Sequence, residues 1–489
     1  MRSSGILMHI SSLPSKYGIG TLGKAAYDFV DFLNKSKQKY WQILPVNPTS
    51  FGDSPYQSPS AFAGNPYFID PDILCEEGLI HRHEIDNYFF GDDDTTIDYA
   101  RLFEARYPML RIAFGRYNKD NDFYAFVDEN RAWLDDYALY MSLKETFHYI
   151  EWTKWERGIR MCEQWAIDKY RGEQYRNIEF YQFIQYMFFK QWNKLKKYAN
   201  EKGVEIIGDM PIYVALDSAE VWKSGRYFML DGEKLPTKVA GCPPDAFAEK
   251  GQLWGNPIYN WDEMERDGYR WWIERIKHSL KMFDMVRIDH FRGFESYYTI
   301  KYGDKDAVKG NWEKGPGMKL FNAIRNALGD VRIIAEDLGF LTPEVYKLLA
   351  DCGYPGMKVM QFAFDPNGDS EYLPHNYGKN CIAYTGTHDN DTMYGWIKGV
   401  SKAEKEFALK YVDTRNMKDF ADKSIKSLMR SAADTVIVPI QDYLNIGTEG
   451  RMNVPSVVGG NWMFRITADM LDEKKAEYIA DMTHTYRRG

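Results

Sequence analysis

Short apolar runs recur along the chain, separated by longer stretches of mixed character. Eight of them have strand length and strand composition: residues 5–10, 41–46, 204–210, 284–289, 331–336, 357–362, 381–385 and 435–440. Between several of them, apolar positions recur at helical spacing. Ala26, Phe29, Val30 and Leu33 follow the first run; Phe180, Phe183, Ile184, Met187, Phe188 and Leu195 precede the third. Strands alternating with amphipathic helices predict an α/β protein with a parallel sheet. Eight such units predict a closed (β/α)8 TIM barrel, here one catalytic barrel over residues 1–489. Two connections exceed ordinary loops. Residues 47–203 separate strands 2 and 3 and include a helical stretch at 133–147; residues 211–282 separate strands 3 and 4. Both are expected as insertions at the C-terminal face of the barrel, where such folds accept variation.

Three of the runs end in acids. They are Phe283-Asp284-Met285-Val286-Arg287-Ile288-Asp289-His290, Val331-Arg332-Ile333-Ile334-Ala335-Glu336-Asp337, and Cys381-Ile382-Ala383-Tyr384-Thr385-Gly386-Thr387-His388-Asp389-Asn390. One acid after a strand is ordinarily a helix N-cap. Three, with Arg and His companions, converge on one edge of a parallel sheet, which in a barrel is the catalytic face. Converging carboxylates suit glycosyl transfer, where one attacks and another delivers a proton. Strand alternation puts Arg287 and Asp289 on one face, so the guanidinium favours an ionised Asp289. His388 adjoins Asp389 and can donate to a ligand hydroxyl. Glu336 and Asp337 cannot both point inward, and periodicity leaves that choice open.

Composition narrows the partners. A formal net charge of −8 and a pI near 5.7 disfavour nucleic acid or an anionic membrane. No apolar run reaches the ~18 residues that suggest a spanning helix, and the N-terminus lacks a signal-peptide pattern. Five cysteines, Cys75, Cys162, Cys242, Cys352 and Cys381, are odd in number and form no C-x-x-C pair. They indicate neither a disulfide framework nor a zinc site, so a cytoplasmic setting is expected. Aromatic residues make up 16% of the chain; core packing accounts for most, and a sugar cleft would use the remainder.

Rival motifs fail on context. Gly18-Ile19-Gly20-Thr21-Leu22-Gly23 matches G-x-G-x-x-G, but seven residues including Pro14 separate it from the strand. The second strand also ends in Leu44-Pro45-Val46-Asn47-Pro48, without a ribose-binding acid. His81-Arg82-His83 has no further ligands nearby and reads as a surface turn. Asp92-Asp93-Asp94 reads as a solvated acidic turn. No P-loop signature occurs. Neither a metal nor a cofactor is expected.

The segments Val286–Gly293, Ala335–Gly339 and Thr387–Asn390 resemble the catalytic motifs of the 4-α-glucanotransferases (amylomaltases, or disproportionating enzymes), glycoside hydrolase family 77 in the α-amylase clan. Asp53–Tyr56, Gly208–Val214, Gly241–Phe247, Gly251–Pro257 and Gly460–Trp462 are similar to the family too, so the resemblance runs from His9 to Trp462. It implies the short form, without an added N-terminal carbohydrate-binding domain. Two positions depart: Thr448–Asn453, where the family commonly has Ala before Arg451, and Trp462-Met463-Phe464, where a second Trp is frequent.

The resemblance implies Asp289 as nucleophile, Glu336 rather than Asp337 as general acid/base, and Asp389 as stabiliser of the transition state. It further implies substrate binding by Arg287, His388, Tyr56, Asp209 and Asn461, and a cover over the acceptor side carrying Trp254. The implied partners are maltooligosaccharides, glucose and α-1,4-glucans. The implied reaction moves a glucan segment to a sugar 4-hydroxyl by retaining double displacement. A hydrolase of the same clan would use the same acids, and a silent glucan-binding protein would have little reason to keep all three.

Overall fold

The computed structural model describes residues 2–50, 52–244, 249–339 and 341–489. Its strands, in chain order, are β1 (Ser3–Leu7), β2 (Tyr40–Gln42), β3 (Glu205–Met210), β4 (Lys238–Cys242), β5 (Gln252–Pro257), β6 (Met285–Ile288), β7 (Ser296–Lys301), β8 (Gly310–Lys314), β9 (Ile333–Ala335), β10 (Gly356–Val359), β11 (Cys381–Tyr384) and β12 (Thr435–Pro439). Eight of these pair in parallel in the order β10-β11-β12-β1-β2-β3-β6-β9. Each of the eight overlaps one of the runs read from the sequence. The seam between β9 and β10 is closed by the Ala335 N–H donating to Pro355 O at 2.9 Å and by the Met357 N–H donating to Asp337 Oδ1 at 2.6 Å. The barrel therefore closes, as the eightfold alternation predicts.

Local chemistry sets the strand limits. The first strand starts two residues before the expected run because Ser3 and Ser4 are buried. Ser3 Oγ and Thr435 Oγ1 lie 2.9 Å apart across β1 and β12, which satisfies both hydroxyls. It also ends sooner, since Ile10–Ser12 turns into a short 3-10 helix. The apolar face of the helix Lys24–Lys35, with Ala26, Phe29, Val30 and Leu33 fully buried, lies against β2 and the long helix Tyr175–Glu201. That long helix also packs on β3, and the helix Arg270–Met282 packs on β3 and β6. The helix Asn121–Thr146 covers the expected helical stretch and packs along Tyr175–Glu201.

A second sheet was not legible in the hydrophobic pattern. β5-β4-β7-β8 is antiparallel, and β7 and β8 form a hairpin between β6 and β9. β8 reads Gly-Asn-Trp-Glu-Lys and is largely exposed, so no apolar periodicity announces it. Residues 245–248, which include the end of the Gly241–Phe247 motif, lie outside the described residues.

Candidate active site

The acids stand where barrel strands give way to loops. Asp289 follows β6 directly. His290 then adopts a left-handed backbone, φ 53, which turns the chain sharply into the short helix Phe291–Phe294. A non-glycine residue held there stores roughly 1–3 kcal/mol of strain. The turn sends the His290 N–H to Glu336 Oε2 at 2.6 Å, while Glu336 Oε1 accepts from the Leu338 N–H at 2.8 Å. Glu336 thus leans across from the end of β9 to the residue after Asp289. Asp337 points elsewhere. It is buried, bonds Met357 at the barrel seam, and presses on Gly356, where an added Cβ would fall 2.3 Å from Asp337 Oδ2.

Arg287 binds two acids at once. Its Nη1 reaches both oxygens of Asp209 at 2.8 Å, and its Nη2 reaches Asp289 Oδ1 at 3.0 Å. Asp209 and Arg287 are almost wholly buried, whereas Asp289 keeps 30% of its side chain open. Tyr56 comes from the 47–203 segment and donates its hydroxyl to Asp209 Oδ2 at 2.7 Å. The Tyr56 ring stacks on His388, with centroids 5.0 Å apart, and Trp462 leans against both rings. His388 Nε2 lies 3.5 Å from Asp389 Oδ1. Trp254, on β5, sets its ring edge-on to His290 at 4.9 Å, which brings the 211–282 segment to the Asp289 turn.

Electrostatics separate the two carboxyls beside that turn. Burial and the Asp289 charge push Glu336 up to about 7, against the pull of Arg287 and two amide N–H groups. Burial also raises Asp289, with the Arg287 contact opposing it. Asp289 has the direct guanidinium partner and Glu336 does not, so a proton shared by the pair belongs on Glu336. His290, buried beside Arg292, is lowered to about 3 and stays neutral.

Asp209, Arg287, Asp289, Glu336, Tyr56, His388, Asp389 and Trp254 therefore form one connected site. Asn461 lies one residue before Trp462, and its side chain bonds the Val454 and Val457 backbone of an exposed loop. Three residues absent from the sequence-derived set belong to the site. Asn453 Nδ2 donates to Asp389 Oδ1 at 2.6 Å, Arg451 Nη2 donates to Asp389 O at 2.8 Å, and Trp462 supplies the third ring. They lie in the two segments where the sequence departs from the family pattern, which was the available signal.

The rival motifs have structural explanations. A Cβ at Gly20 would fall 1.8 Å from Ile10 O, and one at Gly23 1.9 Å from an Asp70 carboxylate oxygen. These glycines serve close packing. His81 to His83 sit at a four-residue helix, Arg82–Ile85. Among the described residues, no group of three or more His, Cys, Asp or Glu is placed to hold a metal, and no helix is long and apolar enough to cross a membrane.

A family model described as 4-alpha-glucanotransferase matches residues 8–471. A 4-alpha-glucanotransferase of Clostridium butyricum is 50% identical over 98% of this chain and 100% of its own length. One from Streptococcus pneumoniae serotype 4 is 48% identical over 100% and 97%. Among solved structures, the amylomaltase from Streptococcus agalactiae in complex with acarbose superposes with a TM-score of 0.98, at 44% identity and full coverage of both chains.

Proposed function

Since the chain belongs to the 4-alpha-glucanotransferase family, glycoside hydrolase family 77, we propose that it moves α-1,4-glucan segments through Asp289, Glu336 and Asp389. Asp289 attacks the anomeric carbon. The bond from that carbon to the leaving 4-oxygen breaks, and the Glu336 proton goes to that oxygen. The first product leaves with a new 4-hydroxyl end, and the sugar stays as an ester on Asp289. Glu336, now ionised, takes the proton from the 4-hydroxyl of glucose or a maltooligosaccharide. That oxygen attacks the same carbon, and the Asp289 ester bond breaks. Two inversions retain the α configuration, a route that needs carboxyls about 5–5.5 Å apart.

One observation carries this assignment: Arg287 contacts Asp289 directly, while Glu336 holds only amide N–H groups and is pushed up to about 7. An ionised attacker and a protonated donor are thereby available together. Once Asp289 is esterified its charge is gone, and Glu336 releases its proton more readily. Asp389 and His388 grip hydroxyls of the same sugar, with Tyr56 and Asp209 holding Arg287 and His388 in place. On this reading residues 1–489 are one catalytic barrel, and residues 47–203 and 211–282 are inserted at its mouth to supply Tyr56 and Trp254. Trp254 covers the acceptor side and limits water at the ester. The five free cysteines suit a reducing, cytoplasmic setting.

Maltotriose as sole substrate tests transfer against hydrolysis. Transfer yields glucose and longer maltooligosaccharides while total reducing ends stay nearly constant. Hydrolysis yields one new reducing end per bond broken, and a rise of that size would replace the transferase reading with a hydrolase.

A further inference from the structure

The turn that carries Asp289 continues through Phe291–Phe294 into the β7–β8 hairpin. Beside that hairpin lies an open groove of about 320 Å³. Trp312 and Glu313 of β8 line one side; Thr342 and Glu344, at the start of the helix Pro343–Cys352, line another; Arg292 and Ser296 complete it. β8 is an edge strand, paired only with β7 among the described strands. Edges of this kind ordinarily display charge. Here Glu313 and Lys314 do so, and between them and the hairpin turn the edge also displays an indole that is 44% exposed. The ring is held in place, with the Arg292 guanidinium 4.0 Å from its centre and Tyr298 edge-on at 5.3 Å.

The groove has the chemistry of a sugar site. A fixed aromatic ring takes the C–H face of a pyranose, and the exposed Lys314 ammonium and Glu344 carboxylate at the rim take its hydroxyls. Acid and base are mixed, since Glu295 pairs with Lys314 and Glu344 faces the same space as Arg292. That mixture does not select an anion, which disfavours a phosphate ligand. Arg292 is three residues past Asp289, so the groove wall and the Asp289 turn belong to one segment of chain.

We propose that this groove binds a second segment of α-1,4-glucan, away from the acids, and so favours long chains over short ones. The proposal rests on the transferase reading for the identity of the polymer. Trp312→Ala is the main variant. Its KM for amylose rises roughly tenfold, the cost of losing one stacked ring, while kcat and KM for maltotriose stay at wild-type values. Trp312→Phe keeps a ring and recovers most of the amylose affinity. Glu344→Gln, on the opposite wall, gives a smaller rise with the same selectivity and serves if Trp312→Ala does not fold. Mobility in glycogen-containing native gels, with Glu336→Gln present to stop turnover, reads the groove as binding alone, and adding Trp312→Ala is expected to make that protein migrate faster. Unchanged amylose KM and glycogen mobility in the folded variants would overturn the proposal. So would an equal rise in KM for maltotriose and amylose, because Trp312 would then act through the acid site. If wild type binds glycogen through Trp312 yet makes no transfer products, the transferase reading fails and the groove stands.

Discussion

The two halves of the acid cluster are held by different means. On the β3–β6–β9 side, the charges sit on barrel strands or the first residue after them. Asp209 is closed to solvent, Arg287 is 4% exposed, and each charge has a partner of fixed geometry. On the β11 side, Asp389 stands five residues beyond its last strand and is 46% exposed. Its support comes from Arg451 and Asn453, more than 60 residues later in the chain, while Trp462 backs the neighbouring His388 ring. The first half is organised by the barrel itself, the second by a loop laid over the barrel's mouth. Groups that form and break bonds gain most from a rigid frame. A group that grips a sugar entering and leaving tolerates a softer one.

The largest effects belong to the rigid half. Asp289→Asn and Glu336→Gln should each cut transfer at least about a thousandfold, because a chemical role and not a packing contact is removed. Neither variant should melt below wild type. Glu336→Gln should recover activity toward a donor with an activated leaving group, and a sugar trapped anywhere but Asp289 would reassign the nucleophile. Next, Arg287→Met leaves Asp209 buried without its counter-charge. A loss of about 3–5 kcal/mol of stability is expected from denaturant unfolding. A loss below ~1 kcal/mol would mean that the strand frame does not depend on this ion pair.

Asn453→Ala tests the softer half. It removes one charge-assisted hydrogen bond at the mouth, so kcat/KM should fall roughly 10–100-fold with little change in melting temperature. A fall in stability matching that of Arg287→Met would erase the contrast between the halves. The smallest expected effect is on pH. Glu336 titrates near 7 in the folded protein against an ordinary 4.5, so the folded state binds the extra proton between those values. Its contribution to stability is full below about 4.5 and is lost as pH rises through 7. Glu336→Gln should therefore melt higher than wild type at pH 8, with the gain shrinking towards pH 4. A gain equal at both pH values would mean that Glu336 is not perturbed. Transfer by wild type should likewise fall as pH rises past 7, when the first displacement loses its acid.

Much of the rigid half was legible along the chain, because strand periodicity reports what a barrel needs. Val286, Ile288, Ile333 and Ile334 had to be apolar to pack, so acids at the run ends stood out. Arg287 and Asp289 shared a face by alternation. Asp209 and Tyr56 came only through family resemblance, since no local spacing relates residue 56 to residue 209. The choice between Glu336 and Asp337 was not available to periodicity either. It depends on the barrel seam, where Asp337 bonds Met357 and Gly356 admits its carboxylate. Asn453 escaped notice for the same reason as the β7–β8 hairpin: exposed polar segments carry no period, and their partners are set by tertiary contact alone. Asn461 came through its motif alone, and its amide bonds the Val454–Val457 backbone, a contact no local spacing announces.

The pairing of β1 with β12 joins residues far apart in order of synthesis. Ser3 and Thr435, whose hydroxyls meet at 2.9 Å, are 432 positions apart. At about 5–20 residues per second, a ribosome needs roughly 20–90 s to travel from one to the other. Throughout that interval the outer edge of β1 has no partner, and the apolar inner faces of β1 to β3 wait for the rest of the ring. Such a nascent chain presents an unpaired strand edge for longer than most domains do. It is expected to require a chaperone that shields the first strands until the eighth emerges.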